Sequence, residues 1–341
     1  MIDWKFLREL CAIPGVSGDE DRVRERILRE LASAADEIRV TPLGCVIAHK
    51  QGKESPSVRV MLCAHMDEPG FIVTRVCEDG TVRLAPVGEL PAVSLCGRPV
   101  KVCTAQGDLP GVLGAKPVHL LSAEERGKTV PMKDLYLDIG ALSREEARKA
   151  VRPGDRVVFD SPWKETEKTI SGRALAGRAA CAVLLGLLSQ TPAFDLTVAF
   201  TTLGETGAGG VRTAACDACP DAVIVVGAAQ AGEPGENDAA CRFGEGPAVS
   251  FMDGGTVYDR ALYAGSLRYA RELEIPCQER QAADGGVMAG RAAAHTNVRA
   301  LSVGIPCRYP NAPVSLMMRE DLESMERFLT ACAQAVASGR F

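Results

Sequence analysis

Three short and almost uninterrupted apolar runs constrain the fold of this chain most. They are "VRVMLCAHM" (58–66), "LTVAFTTLG" (196–204) and "DAVIVVGAA" (221–229). Because apolar and polar residues hardly alternate in them, each run is typical of a strand buried on both faces. The segment "GRAACAVLLGLLSQ" (177–190) lies between the first two runs and is long enough for a crossover helix. The pattern predicts an α/β domain in which helices cover a sheet.

Two other regions have a different character. Residues 3–35 are predicted to form a helix, a turn and a second helix, with Ser17 or Gly18 as the N-cap of the second helix. Between residues 70 and 160, short β-prone runs alternate with turn signals. We therefore expect a small β-rich module within the α/β domain.

Composition limits the classes of function. The chain has 341 residues, of which 46% are hydrophobic and 24% charged, as in ordinary globular proteins. The net charge of -5 and the lack of a basic tract argue against a nucleic-acid partner. We see no signal peptide and no apolar stretch long enough to span a membrane, so a cytoplasmic protein is expected. Cys216 and Cys219 form an isolated C-x-x-C, for which a metal or redox role and a role as ordinary thiols both stay open.

The first apolar run ends in residues that could bind a metal. His65 and Asp67 are followed by a turn containing Pro69 and Gly70. A histidine two residues before an aspartate at the end of a strand is a common way to hold a metal ion. Glu68, directly before Pro69, is expected to be a turn carboxylate. The question is whether the rest of the chain supplies the other ligands.

Five separated stretches have the order and spacing of one family. They are "LCAIPGVSGDEDRVRERI" (10–27), "AHMDEPGFIV" (64–73), "LYLDIGALSREEA" (135–147), "GEGPAVSFMDGG" (244–255) and "IPCRYPNAPV" (305–314). Together they resemble the M42 metallo-aminopeptidases, dinuclear metal enzymes that include glutamyl aminopeptidases and proteins once labelled endoglucanases. The resemblance covers about residues 4–335. It implies a zinc-aminopeptidase-like domain, with a mixed sheet flanked by helices, over residues 1–69 and 165–341. It also implies an inserted β-rich dimerisation domain over residues 70–164.

The resemblance implies six positions for the chemistry, and part of the set is retained. His65 matches the first histidine ligand, and Asp67 matches the acid that orients it. Glu205 matches a carboxylate ligand of the metal site. Arg178 matches the arginine of the family's "LDDR" element. With several pocket carboxylates gone, Arg178 is expected either to pair with Glu205 or to hold an anionic ligand.

The other positions carry residues without the required chemistry. Ala176 stands at the position of the aspartate that bridges the two metals, and Gly204 at that of the general base. Gly227 stands at the position of a ligand aspartate at the end of a strand, and Asn311 at that of the last histidine. Ser315 replaces a glutamate. Alanine and glycine offer no donor atom, and asparagine is a weak neutral ligand.

Of the six positions, His65 and Glu205 keep the family's chemistry. The other four, which are Ala176, Gly204, Gly227 and Asn311, have lost it. This loss predicts a family member without a dinuclear site and with little or no peptidase activity. No catalytic residue is assigned. His65 and Glu205 remain as remnants. His65 is either a hydrogen-bonded pocket histidine held by Asp67 or, with Glu205, a ligand of one weakly bound Zn or Co. The expected role is that of a binding or structural subunit with a small peptide or small molecule as ligand. The family resemblance implies a homo-oligomer, a dimer or a dodecamer, and allows co-assembly with an active paralogue.

Two other functions stay open. In the first, the chain is an active metal-dependent aminopeptidase with a rebuilt site, in which Asp253 or Asp284 has become a ligand. Val287 and Met288 replace a polar pair in the same part of the family pattern, and His295 is expected to be structural. The second is a glucanase, which needs two carboxylates on either side of a glycosidic bond. No motif for it is visible.

Overall fold

The computed structural model describes residues 2–236, 239–253, 256–281, 293 and 298–341. The helices in these ranges, numbered in chain order, are α1 Trp4–Ala12, α2 Asp21–Ala34, α3 Ala123–Arg126, α4 Arg144–Ala150, α5 Leu175–Leu188, α6 Gly209–Ala218, α7 Arg260–Glu272 and α8 Arg319–Ala337. The strands are β1 Glu37–Val40, β2 Val46–Lys50, β3 Val60–His65, β4 Gly70–Val76, β5 Val82–Val87, β6 Pro99–Thr104, β7 Gly107–Gly114, β8 Tyr136–Asp138, β9 Arg156–Phe159, β10 Lys164–Glu165, β11 Thr169–Gly172, β12 Leu196–Thr201, β13 Ala222–Gln230, β14 Ala248–Ser250, β15 Met252–Asp253, β16 Thr256–Val257, β17 Gln278–Arg280, β18 Arg299–Arg308 and β19 Ser315–Met318. Every helix in these ranges is too short or too polar to traverse a lipid bilayer.

The three apolar runs form neighbouring strands of one large sheet. β3 lies between β12 and β13 and is parallel to both. The eleven-stranded sheet has the order β1-β2-β12-β3-β13-β18-β19-β11-β10, with β14 and β17 attached beside β18. Because β1 and β2, like β18 and β19, pair antiparallel, the sheet is mixed. The predicted mixed α/β architecture is confirmed.

The crossover helix α5 positions one side of the candidate site. All 14 of its residues are buried. It packs on β3 and β13, and α1 and α8 pack against it. A helix that is apolar on all sides must be covered in this way. The first turn of α5 carries Ala176, Gly177 and Arg178, so these residues are held rigidly against the sheet.

The two N-terminal helices form as predicted, but the predicted N-cap is wrong. α2 begins at Asp21, with Glu20 as its N-cap residue. The segment before it is a turn in which the N–H of Asp19 donates to the carbonyl of Val16, 2.8 Å away, and Gly18 has a φ of 81°. Val16 also bridges to the chain that follows β3. This bridge holds the turn against the sheet and delays the start of the helix.

Residues 70–159 contain a closed barrel of six strands in the order β4-β5-β8-β7-β6-β9. The barrel has its own apolar core, in which Phe71 and Phe159 meet edge to face. Beyond it, β10 already pairs with β11 of the large sheet. The β-rich character predicted for this region is present. The domain limits at 69/70 and 164/165 stay a prediction.

Candidate functional site

His65 is the last residue of β3, at the edge of the sheet where neighbouring parallel strands end. Its partner in register, Thr201, is the last residue of β12. The chain leaves both strands at the same edge, which is where open α/β sheets form their crevices. Helix α5 reaches this edge as well, because the Cys181 thiol donates to the His65 carbonyl oxygen at 3.3 Å.

Asp67 is fully buried and holds the loops at this edge together. Its carboxylate accepts hydrogen bonds from the Ser17 hydroxyl and from the backbone N–H groups of Gly204 (2.8 Å) and Glu205 (2.9 Å). Burial raises the pKa of Asp67, but His65 and these donors favour the charged form more strongly. The pKa of Asp67 is therefore lowered. Asp67 acts as a buried anion that fixes the loop after β12.

The imidazole of His65 lies against this anion. Its Nδ1 is 3.3 Å from Asp67 Oδ1, but the two groups are not aligned for a hydrogen bond, and Nδ1 has no hydrogen-bond partner in the described part of the chain. Burial lowers the pKa of His65. Asp67, and then Glu205, oppose that effect and raise the pKa to about 9. The geometry thus favours an imidazolium held in place by its neighbouring carboxylate.

Two glycines border the His65 side chain closely. A Cβ atom at Gly177 would lie 2.5 Å from the His65 carbonyl oxygen and 2.6 Å from ring atom Cε1. A Cβ atom at Gly204 would lie 2.5 Å from His65 Cγ and 2.7 Å from Nδ1. Carbon atoms in proteins do not approach so closely without displacement. The observed position of the ring therefore requires glycine, or a shift, at both positions.

Glu205 follows this glycine and is the least satisfied carboxylate of the site. The described residues offer its side chain no hydrogen bond and no ion pair. Its side chain lies beside Gly88, and a Cβ atom on Gly88 would be 3.2 Å from Glu205 Oε2. Burial raises the pKa of Glu205 to about 7, against the opposing effect of His65. The charge of Glu89 also acts on it.

Arg178 does not meet Glu205, so the predicted pairing of these two residues is wrong. Arg178 is fully buried and donates to Glu68 Oε1 at 3.0 Å and to the carbonyl oxygens of Leu10 (2.6 Å) and Met66 (3.2 Å). With a further bond to the carbonyl oxygen of Ile13, four of its five N–H groups are engaged, and the guanidinium is closed off from solvent. The prediction fails because the carboxylate next to the Arg178 guanidinium is that of Glu68 and not that of Glu205.

Glu68 is likewise more than the turn carboxylate expected from the sequence. It is 2% exposed and forms ion pairs with both Arg173 and Arg178. The same oxygen accepts the N–H of Gly15 at 3.1 Å. One carboxylate thus joins the loop after β3, the start of α5 and the turn after α1.

Comparison with known proteins identifies the family. The model of the family described as M42 glutamyl aminopeptidase matches residues 44–328. This chain belongs to the M42 peptidase family. A protein of Acetivibrio thermocellus, named provisionally as an aminopeptidase, is 31% identical to this chain over 330 residues. The match covers 95% of this chain and 96% of that protein.

Solved structures of TET peptidases superpose on nearly the whole chain. The TET aminopeptidase of Thaumarchaeota archaeon SCGC AB-539-E09 is 28% identical, with a TM-score of 0.91 over 96% of this chain and 94% of that one. The Pyrococcus horikoshii TET1 peptidase, described as assembling into a tetrahedron or a large octahedral shell, is 30% identical. Its TM-score is 0.86 over 98% of both chains.

The remaining M42 positions do not all converge on His65. Ala176 lies in the first turn of α5 and is 7% exposed. Gly227 lies inside β13, opposite Gly304 of β18, and the strand continues for three more residues. Asn311 lies between β18 and β19 and lines a cleft of about 530 Å³, whose described lining includes Glu89 but not His65.

Within the ranges that the structure describes, no three His, Cys, Asp or Glu side chains are grouped to hold a metal. Asp253, a candidate ligand for a rebuilt site, is ion-paired with Arg280 and accepts the Tyr258 hydroxyl at 2.7 Å. The other residues considered in that part of the sequence, Asp284, Val287, Met288 and His295, lie outside the described residues.

Sequence reasoning missed two further hydrogen-bonding side chains of the site, one donor and one acceptor. Ser17 was placed at a helix terminus but instead donates to Asp67. Glu20 accepts the N–H of Leu203 at 2.9 Å and so supports the loop that carries Gly204. A short acidic segment before a helix resembles an ordinary first turn, so no local signal separates this role from simple capping.

Proposed function

We propose that this M42 member lacks a working dinuclear metal site and acts as a binding or structural subunit with little or no peptidase activity. The observation that carries the proposal is the place of the His65 ring, between Gly177 and Gly204. In the family resemblance, Gly204 stands where the general base belongs. A side chain at position 204 would begin in space that the His65 side chain already occupies. His65 is also the residue that matches the family's metal-binding histidine.

The donor chemistry supports the same proposal. A metal ion in a protein takes about three or four protein ligands. The remnants are His65 and Glu205, and the family positions Ala176, Gly204 and Gly227 contribute no donor atom. We propose that Zn or Co binds at most once, weakly, through His65 and Glu205. Such binding would also require His65 to give up one ring proton, because a metal and a proton compete for the same imidazole nitrogen, while the other nitrogen could keep its contact with Asp67.

The proposed ligand is a small peptide or another small molecule in the cleft lined by Glu89 and Asn311. Its volume, about 530 Å³, is within the range of ligand pockets. We further propose a cytoplasmic homo-oligomer, a dimer or a dodecamer, assembled through the inserted domain of residues 70–164. Assembly of the similar Pyrococcus horikoshii TET1 peptidase into closed shells supports this part of the proposal. Co-assembly with an active paralogue is compatible with it.

Metal content tests the proposal directly. The protein, purified without chelator, should contain far less than two equivalents of Zn or Co by inductively coupled plasma mass spectrometry. It should not cleave aminoacyl-anilides when Co is added. H65A is the matched control, because loss of any bound metal in H65A would assign that metal to His65. Two tightly held equivalents together with rapid cleavage would overturn the proposal.

The second candidate is an active metal-dependent aminopeptidase with a rearranged site. The described residues offer the Glu205 carboxylate no hydrogen bond, and its charge interacts with His65, which favours this candidate. It needs a third ligand, and Asp253 is already engaged. A crystal grown with Zn distinguishes the two: metal beside Glu205 with a third protein ligand supports the active enzyme, and an empty site supports the binding subunit.

A further inference from the structure

Cys216 and Cys219 differ from most cysteines of the chain by their exposure. Of the thirteen cysteines, seven are buried and three are half-buried, so that Cys96, Cys216 and Cys219 are the exposed ones. Burial raises the pKa of the Cys11 and Cys332 thiols to about 12, which keeps them protonated at neutral pH. Two of the three accessible thiols therefore belong to one C-x-x-C segment.

The pair lies at the C-terminal end of α6. Cys216 is in the last turn, and Cys219 directly follows the final helical residue, Ala218. Cys219 has a φ of 45° and caps the helix by donating its N–H to the Ala215 carbonyl at 2.9 Å. Its thiol donates to the carbonyl oxygen of Cys216 at 3.1 Å. The side chain of Cys219 is thus folded back over the residue with which it would pair.

This geometry needs little change to form a disulfide. Side chains three residues apart on a helix are about 5–6 Å apart at Cβ. A disulfide needs about 3.5–4.5 Å between the same atoms. Because Cys219 lies outside the helix, the remaining approach would be made by rotation of this one end residue, which would leave α6 intact.

The surroundings suit a dithiol better than a metal centre. Arg39 of β1 donates to the carbonyl oxygen of Asp217 at 3.0 Å and pairs with its carboxylate at 3.1 Å, so the end of α6 is already capped by a cation. Arg59 is close enough to Cys219 for a thiolate there to interact with its guanidinium. Two thiols alone make a poor metal site, and the described residues contain no group of three ligands.

We propose that Cys216 and Cys219 form a reversible dithiol–disulfide site that is oxidised by low-molecular-weight disulfides of the glutathione type. One cysteine thiolate attacks the S–S bond of the reagent and releases one small thiolate. The second cysteine, after losing its proton to water, attacks the mixed disulfide and releases the other. The protein loses two electrons and two protons and gains one S–S bond, and the reagent becomes two thiols.

Equilibration of the full-length protein in mixtures of oxidised and reduced glutathione tests the proposal. As the mixture becomes more oxidising, the C96S variant, which lacks the third exposed thiol, should become lighter by two hydrogen atoms, and its two iodoacetamide-reactive surface thiols should become protected. In the wild type the same loss should be seen at the pair, with one glutathione adduct added on Cys96. Trypsin releases residues 213–242, which also contain buried Cys241, so fragment ions must place the link between Cys216 and Cys219. Dithiothreitol should restore the starting mass.

Single variants separate the pair from ordinary surface thiols. C216S and C219S should each gain one glutathione adduct on the remaining partner and form no internal link, whereas C96S should behave like the wild type at the pair. All three side chains are exposed, so unchanged circular dichroism is expected. If the wild type carries two separate adducts at every glutathione ratio, or if neither cysteine reacts, the proposal is wrong.

Discussion

The ring of His65 lies where a side chain at Gly204 would begin. A Cβ atom built on Gly204 would be 2.5 Å from His65 Cγ and 2.7 Å from Nδ1, although the two residues are 139 positions apart in the chain. They meet because β3 and β12 are parallel neighbours that end at the same edge. The ring of His65 can therefore lie here because residue 204, in the loop after β12, is a glycine and has no Cβ atom.

G204A should lower the free energy of unfolding by about 1–3 kcal/mol, the usual range for overpacking a filled interior. Urea unfolding measures the change. G209A is the matched control, because a Cβ there meets nothing within 4 Å and the position is helical. In G209A the helix propensity of alanine should leave stability unchanged or raise it by up to about 1 kcal/mol. Equal losses in both variants would show that the His65 contact is not the cause.

Removal of the His65 side chain should rescue one glycine substitution and not the other. At Gly204 the three atoms nearest to the added Cβ are all side-chain atoms of His65, whereas at Gly177 the nearest is the His65 carbonyl oxygen at 2.5 Å. H65G should therefore cancel most of the cost of G204A but little of the cost of G177A. Double-mutant cycles in urea measure both couplings, which for residues in contact amount to about 0.5–3 kcal/mol. Similar couplings at the two glycines would contradict the geometry.

The sequence was informative wherever a pattern repeats along the chain. Buried strands and an almost entirely apolar helix follow from apolar runs in the sequence, so the mixed sheet and α5 could be predicted. The start of α2 could not, because Ser17 caps no helix and binds Asp67, a residue 50 positions away. The partner of Arg178 was also beyond sequence reasoning, since Glu68 and Glu205 are both carboxylates on loops at the same edge. Only the direction of the loop after β3 decides between them.

Truncation of Glu68 should be among the most damaging single changes in the chain. E68A would leave the guanidinium groups of Arg173 and Arg178 buried beside each other without their shared carboxylate. Loss of one partner of a buried ion pair costs about 3–5 kcal/mol. D221N, which breaks the exposed pair with Arg59, is the control and should change stability little. Guanidinium chloride would screen these charges, so urea denaturation should be used. A small effect of E68A would indicate that water reaches the two arginines.

E205Q should make the stability of the protein less dependent on pH. In the folded chain burial raises the pKa of Glu205 to about 7, from an ordinary value of 4.5. Between pH 4.5 and about pH 7 the folded state therefore binds more protons at Glu205 than the unfolded state does. As the pH rises through this range, the stability that Glu205 contributes falls, and above the range it stays lower. Relative to the wild type, E205Q should gain stability as the pH is raised from about 5 to about 8, measured as the urea midpoint at each pH. E145Q, which removes one negative charge from exposed helix α4, corrects for the change in net charge. A difference between E205Q and the wild type that is constant across this range would mean that the Glu205 carboxylate is solvated in the folded protein.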